Sequence, residues 1–395
     1  MFDHVVLRRA KEGLPISAGH LAEALLYYQK IQLFLDRGTL FHLVKQIGTS
    51  SILALLRRPE VSAVYCEENL GTRTDLAGVS QYHNYVAFTI SGHQDIGPLK
   101  TPVERLSYEL ARQGVTKKEA RKFSEAFLDL VPIRRLSGDH FLPGGIPTAA
   151  KRDLLDIDYA KEALRHAVAA TPGGYALADD LELKIINSEL GCFVFTNIDL
   201  EAINHRRTQA NPPIEPLTIA HLLSEMLEAR ADLALSSFYG GDFVTSEVIS
   251  SIIRARHAEF LRRSNLNAAS REQFTEVVLP DVPSLAEVVD SGERSFDEFL
   301  LLLDKAARFK DWLRAVNPDE GLVRSYMRDI SSEGWIQRLP AKTIRYVIAS
   351  ALDATHPGAS LVTSFTDNFL VEKMLSGWRP NHFITRRLGP FVQGH

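Results

Sequence analysis

Four times in this chain a Ser or Thr is followed three residues later by Glu, just ahead of an apolar run: Thr101/Glu104, Thr116/Glu119, Ser284/Glu287 and Ser295/Glu298. At that spacing the hydroxyl accepts the backbone N–H of the third helical residue. The carboxylate accepts the N–H of the cap itself, so two otherwise orphaned donors are satisfied together. A fifth start, Asn317-Pro318-Asp319-Glu320, places an N-cap, a proline at N1 and a glutamate at N3. These marks commit the chain to helices, and its last third reads as almost purely helical.

Strand signals are fewer. Asp3–Arg8, Val61–Cys66 and Tyr85–Ile90 are short β-branched or aromatic runs. Leu181–Ile186 and Gly191–Phe195, separated by Asn187-Ser188-Glu189-Leu190, read as a hairpin, and Gln273–Val278 as one more short strand. From Ser17 the period changes: Leu21, Leu25, Tyr28, Ile31 and Leu35 lie on one helical stripe. Helices are predicted over Gly38–Ile47, Ser50–Leu56, Asp153–Ala170, Thr218–Ala234 and Thr245–Arg263, while Asn197–Pro216 reads as loop. Within Ser295–Val316 the apolar face is broad enough to need cover on more than one side.

The fold expected is α+β and helix-rich, with small mixed sheets and a predominantly helical C-terminal region. Pro143-Gly144-Gly145-Ile146-Pro147 is the best linker signal. It divides the chain into an N-terminal α/β portion, residues 1–145, and a second portion, residues 146–395, holding the hairpin and the C-terminal helices.

Composition narrows the function classes. With 395 residues, 45% of them hydrophobic and 24% charged, the chain is neither disordered nor short of core. Its 45 basic against 49 acidic residues leave no electrostatic footprint for strong nonspecific nucleic-acid binding. Two cysteines, Cys66 and Cys192, exclude a disulfide framework and a Cys-rich zinc site. The first residues are charged, and no run reaches the roughly 20 apolar residues a membrane span needs. A cytoplasmic protein with no transmembrane segment is expected.

Walker-A, HExxH, GxSxG and GxGxxG patterns are all absent. Three groups of residues carry chemistry. In Asp179-Asp180-Leu181-Glu182-Leu183-Lys184, residues two apart on a strand share a face. Asp180, Glu182 and Lys184 are therefore the candidate catalytic set of a metal-dependent nuclease, with Mg²⁺ as its cofactor and none otherwise. Such a site also needs an upstream aspartate, and Asp156 and Asp158 fall in a predicted helix.

The loop Glu67–Thr74 follows a strand, where open α/β sheets place ligands, and His83 flanks the next strand. Glu68, Arg73 and His83 are the candidate binding residues there. In the tail, Trp378 and Arg379 combine an aromatic with an arginine, the pairing favoured at interfaces.

Other features have plain readings. Arg135–His140 has an Arg-x4-His spacing, but Ser137-Gly138-Asp139 makes it a turn. Asn197, Asp199 and Tyr239-Gly240-Gly241-Asp242 read as caps and turns. The basic residues between Arg112 and Arg135, and again after Ala341, read as solvated helix faces that nucleic acid or an acidic partner could meet.

Ser291-Gly292-Glu293-Arg294-Ser295-Phe296 through Phe309-Lys310-Asp311-Trp312-Leu313, and Gly377-Trp378-Arg379-Pro380-Asn381-His382-Phe383-Ile384, resemble bacterial proteins of uncharacterised function. Some of these sit among phage-defence or mobile-element genes. The resemblance implies a bacterial cytosolic origin and an antiviral setting, and it carries no catalytic residue.

The leading expectation is a non-enzymatic protein that acts through protein–protein assembly, as a homo-oligomer or with a protein partner. The metal-dependent nuclease is the rival. A third reading has the C-terminal helices, with Phe365 and Phe369, engaging a membrane.

Overall fold

The computed structural model describes residues 2–9, 14–89, 99–138, 144–172, 175–177, 180–210, 215–279, 282–316, 322–323, 325–326 and 380–393, the side chains of 210 and 256–268 excepted. In chain order the first elements are β1 (His4–Leu7), α1 (Ala18–Tyr27), β2 (Lys30–Asp36), α2 (Arg37–Leu56) and β3 (Val61–Cys66). Next come β4 (Glu68–Ala77), β5 (Ser80–Thr89), α3 (Pro102–Arg112), α4 (Lys117–Leu130), α5 (Gly145–Leu155) and α6 (Ile157–Ala170). Then follow β6 (Leu183–Asn187), β7 (Cys192–Thr196), α7 (Leu200–Ala210), α8 (Ile219–Tyr239), β8 (Asp242–Phe243) and α9 (Glu247–Val278). The last are α10 (Leu285–Asp290), α11 (Phe296–Leu303), α12 (Ala307–Ala315) and a helical segment from Pro380 to Gln393 with a π-turn at Ile384–Leu388. The fold is α+β and helix-rich, with two four-stranded sheets ordered β3-β2-β1-β8 and β4-β5-β7-β6.

Of the five expected helix starts, Asn317–Glu320 lies outside the described residues, and Thr101, Thr116, Ser284 and Ser295 are N-caps. At Thr101, Ser284 and Ser295 both reciprocal bonds form. At Thr116 the hydroxyl caps Glu119 N–H, but the Glu119 carboxylate turns to the Thr49 hydroxyl instead. The two predicted helices at Gly38–Ile47 and Ser50–Leu56 meet in α2 across a kink at Gly48, whose φ of 78° only glycine adopts without strain. Among the described residues α2 alone is long and apolar enough to cross a membrane by length and composition. It buries Leu40, Leu43, Ile52 and Leu55.

Elsewhere tertiary context overrode the sequence pattern. The stripe from Ser17 does not continue to Leu35: α1 stops at Tyr27, and Lys30–Asp36 forms β2. Ile31 through Leu35 is buried on both faces of a central strand, and a short apolar run buried on both faces has the same periodicity signal as a buried helix. Glu68–Ala77 is a ten-residue strand rather than a loop, Leu200–Ala210 is helical, and Gln273–Val278 is the end of α9.

Close contacts divide the chain into two units: Met1–His4, Ser17–Ile31 and Asn265–His395 form one, Val5–Ile16 and Gln32–Ser264 the other. The linker signal near residue 145 therefore falls inside the second unit. The physical reason is a shared core, in which Phe34, Val64 and Cys66 from before it cluster with Ile146, Ala150, Leu227 and Leu235 from after it.

In that second unit β1 and β8 run parallel, with Val5 opposite Asp242 and Val6 opposite Phe243. The chain leaves β1 toward β2 on one side while β8 lies on the other, which makes the β1/β8 carboxyl ends a topological switch point. A buried charge network occupies it. Arg8 Nη1 donates to Asp232 Oδ1 at 3.0 Å and Arg8 Nη2 lies 2.5 Å from Glu228 Oε2. The Thr245 hydroxyl donates to Asp232 Oδ2 at 2.8 Å, and Arg9 reaches Glu228 Oε1 at 3.2 Å. Burial alone would lower the Arg8 pKa, but Glu228 and Asp232 outweigh it and hold the guanidinium above its ordinary value.

Glu225, one turn before Glu228, is pushed above the ordinary carboxylate range by burial first and by Glu228 second. With its folded pKa raised, the native state takes up this proton before the unfolded chain does as pH falls. Glu225 therefore costs stability at neutral pH and ceases to cost it in acid. Glu225→Gln is expected to raise the denaturation midpoint at pH 7, with the gain shrinking as pH falls toward about 4. A lower midpoint for the variant at pH 7 would refute that sign.

The other unit joins α1 to the C-terminal helices. Ser17 caps α1 and also donates to Asp290 Oδ2 at 2.6 Å, while Gly19 N–H donates to Asp290 Oδ1 at 2.7 Å. At the opposite end of α1, Lys310 Nζ donates to the Leu25 carbonyl at 2.8 Å. Between them lies an aromatic core in which Phe309 stacks on Phe383 at 4.9 Å and Phe274 meets Tyr326 edge-on at 5.2 Å.

Candidate functional site

The β4-β5-β7-β6 sheet brings most of the described candidate residues onto one scaffold. β4 and β5 pair over their full length, from Glu68 opposite Thr89 to Ala77 opposite Ser80. That register leaves a two-residue turn, Gly78-Val79, with φ 64° at the glycine, the position where a type II′ hairpin turn needs it. β5 meets β7 at His83 opposite Cys192, and β7 pairs with β6 from Asn187 opposite Cys192 to Leu183 opposite Thr196.

Alternation then assigns every side chain to a face. Leu70, Tyr85, Ala87, Ile185 and Val194 pack against the core clusters beneath α5, α6 and α8. The residues between them point the other way. Ordinarily that outer face of a half-covered antiparallel sheet is polar. Here it carries Tyr82, Phe193, Phe195 and Ile186 side by side, with Val86 and Phe88 further along β5 beyond Asn84, and Ile186 and Phe195 are 44% and 46% exposed. Tyr82 and Phe193 touch at 5.7 Å between ring centroids. Phe88 lies over Gly71 so closely that a Cβ there would stand 3.0 Å from its ring. The register sets Asp75, Tyr82, Phe193 and Ile186 in one row across the four strands.

Charges border this apolar strip on both edge strands. Arg73 pairs with Asp75 at 2.8 Å on β4, and Glu182 and Lys184 are both exposed at the start of β6. The spacing of Glu182 and Lys184 thus gives the shared exposure expected of it. Asn197 fixes the chain there, accepting Glu182 N–H at 2.9 Å and donating to the Asp180 carbonyl at 3.1 Å. Asp156 caps α6, accepting Tyr159 N–H at 3.3 Å. Among the described residues no three His, Cys, Asp or Glu side chains come together to hold a metal ion.

Glu68, Arg73 and His83 do not converge. Glu68 accepts the N–H and hydroxyl of Ser137 at 2.9 and 2.7 Å, which ties the segment after α4 to the sheet. Arg73 stands on the outer face. His83 is buried on the inner face, with Nδ1 2.8 Å from the Thr74 hydroxyl. Burial lowers the His83 pKa and raises that of the Cys192 thiol opposite it, so this pair is held neutral rather than as a thiolate–imidazolium couple. Trp378 and Arg379, like Phe365 and Phe369, lie outside the described residues.

The sequence reading missed the outer aromatic strip. The signal was present in Cys192-Phe193-Val194-Phe195, which is apolar at both parities where a half-covered strand should alternate. Comparison with protein-family models, with curated proteins and with solved structures yields no match.

Proposed function

We propose that this chain acts through protein–protein assembly, with the outer face of the β4-β5-β7-β6 sheet as its contact surface and a second copy of the chain as the occupant. The observation that carries the reading is the exposure of Ile186 and Phe195 beside Tyr82 and Phe193 on one sheet face. An apolar strip rimmed by charge is the ordinary anatomy of an interface. Two-fold assembly is favoured because both rims carry both signs: Arg73 with Asp75 on one edge strand, Lys184 with Glu182 on the other. A two-fold axis can set unlike charges opposite each other under either strand alignment. The resemblance of residues 291–313 and 377–384 to bacterial proteins, some of which sit among phage-defence or mobile-element genes, supports an antiviral setting for such an assembly.

Analytical ultracentrifugation tests this. The wild-type chain is expected to dimerise, and Phe195→Asp to weaken the dimer at least tenfold, because a carboxylate buried in an apolar contact must be desolvated unpaired. Phe195 is half exposed in the single chain, so the variant should keep its melting temperature when measured as a monomer. A wild-type chain still monomeric at roughly 0.1 mM would end the reading.

A further inference from the structure

We propose that the end of α3, the α3–α4 turn and the first two turns of α4 form a docking surface for the phosphate backbone of duplex DNA. From Arg112 to Lys122 stand five cations, Arg112, Lys117, Lys118, Arg121 and Lys122, against one acid, Glu119. This local excess of positive charge lies in a chain whose formal net charge is −4. All five cations are exposed. Arg112, Lys117, Lys118 and Lys122 have no ion pair among the described residues. Arg121 holds only Glu125, one turn on, at 3.0 Å. Glu119 is engaged by the Thr49 hydroxyl of α2 at 2.7 Å.

Packing aims the cluster outward. α4 buries Ala120, Phe123, Ser124 and Phe127. At 3.6 residues per turn Lys118 and Lys122 then stand on the opposite side, with Lys117 and Arg121 flanking them. Glu125 and Asp129 end the basic face further along the helix. The arrangement works against α4 itself. Cations in a first turn oppose the helix dipole, and Lys117/Arg121 and Lys118/Lys122 are like-charge pairs one turn apart. The Arg121–Glu125 pair is exposed and screened, so it offsets little of this. A polyanion would offset both costs.

Composition chooses the polyanion. Protein–protein interfaces are depleted in lysine and centred on apolar or aromatic residues. Here three of the five cations are lysines, and the exposed residues among them, Gln113, Gly114 and Thr116, add no apolar side chain. Lys, Arg and small polar groups are the ordinary contacts of phosphate. Single strands are gripped by stacking on aromatic side chains, whereas Phe123 and Phe127 of α4 are buried. An α-helix fits the major groove of DNA and not the deep, narrow one of duplex RNA. The net negative charge of the whole chain confines the attraction to this patch. The assignment does not depend on what covers either sheet.

Fluorescence anisotropy of a labelled DNA duplex of roughly 20 base pairs, titrated with the full chain at about 50 mM salt, tests it. Saturable binding is expected with a Kd on the order of 10⁻⁵ M or tighter, and with a log–log salt slope no steeper than about −4.5 for five phosphate contacts. Lys117→Gln/Lys118→Gln/Lys122→Gln should weaken binding at least tenfold and flatten the slope by about 2.7. That variant should melt no lower than wild type, because it removes like charges from exposed positions. Lys305→Gln/Arg308→Gln/Arg314→Gln takes three exposed cations from the other unit and should leave the affinity unchanged. The proposal is overturned by absence of saturable binding at roughly 0.1 mM protein, or by equal weakening in the two triple variants. Single-stranded DNA, duplex RNA or an oligo-glutamate of equal charge binding as tightly as the DNA duplex overturns it as well.

Discussion

Arg8→Ala is expected to cost about 3–5 kcal/mol of folding stability, measured by denaturant unfolding at pH 7. The loss does not measure the strength of the ion pairs themselves. Taking the guanidinium away strands Glu228 and Asp232 as buried carboxylates beside each other on α8, with Arg9 reaching only the first. Burial already raises the Asp232 pKa despite Arg8, so its ionised form is barely compensated in the wild type.

Two corollaries follow from that cause. In the variant Asp232, whose pKa burial already raises, loses the Arg8 charge that held it down. The native state therefore takes up protons first as pH falls, and the deficit should shrink from pH 7 toward pH 5. Removing the charges together, in Arg8→Met/Glu228→Gln/Asp232→Asn, should recover most of the loss, because no buried carboxylate is then left unpaired. A loss under about 1 kcal/mol for Arg8→Ala would mean that the network behaves as a solvated surface pair.

Gly19→Ala is expected to destabilise by about 2–3 kcal/mol, against the usual sign of such a change. Inside a helix Ala ordinarily exceeds Gly by about 0.5–1 kcal/mol, through chain entropy. At Gly19 the added Cβ would stand 2.2 Å from the Ala286 carbonyl oxygen and 2.6 Å from its Cα. Both are backbone atoms, so no side chain can turn aside, and α1 must move away from α10. That movement also pulls on the bonds from Ser17 and Gly19 to Asp290. Gly38→Ala is the control: in α2 the nearest atom to a new Cβ is the Asp36 carboxylate oxygen at 3.5 Å, an ordinary contact. Thermal melts should show Gly38→Ala at or above wild type and Gly19→Ala below it; equal midpoints would refute the close-approach argument.

The candidate site was half legible. The β6–β7 hairpin and the strand around Tyr85 are read correctly from short apolar runs and a polar turn. The edge strand β4 was not, because Glu68, Asn69, Gly71, Arg73 and Asp75 look like a ligand loop. Their strand conformation comes from pairing with β5, a partner that propensity does not consult. Without β4 there was no alternation to put Arg73 and His83 on opposite faces, and the two looked as though they converged.

Helix starts were determined by the sequence alone, since the bonds at Thr101, Ser284 and Ser295 span three residues and need no distant partner. The kink in α2 is local in the same way, resting on Gly48 alone. Whether Ile31–Leu35 became helix or strand was decided by tertiary structure, because burial on both faces erases the period that distinguishes them. The same holds for which unit a segment joins: α1 stands near the start of the chain, yet Asp290 and Lys310 hold its two ends. Local hydrogen bonding acts at short sequence separation, so residue order records it directly. Apolar burial is non-directional and indifferent to sequence separation, so only the folded chain decides which residues share a core.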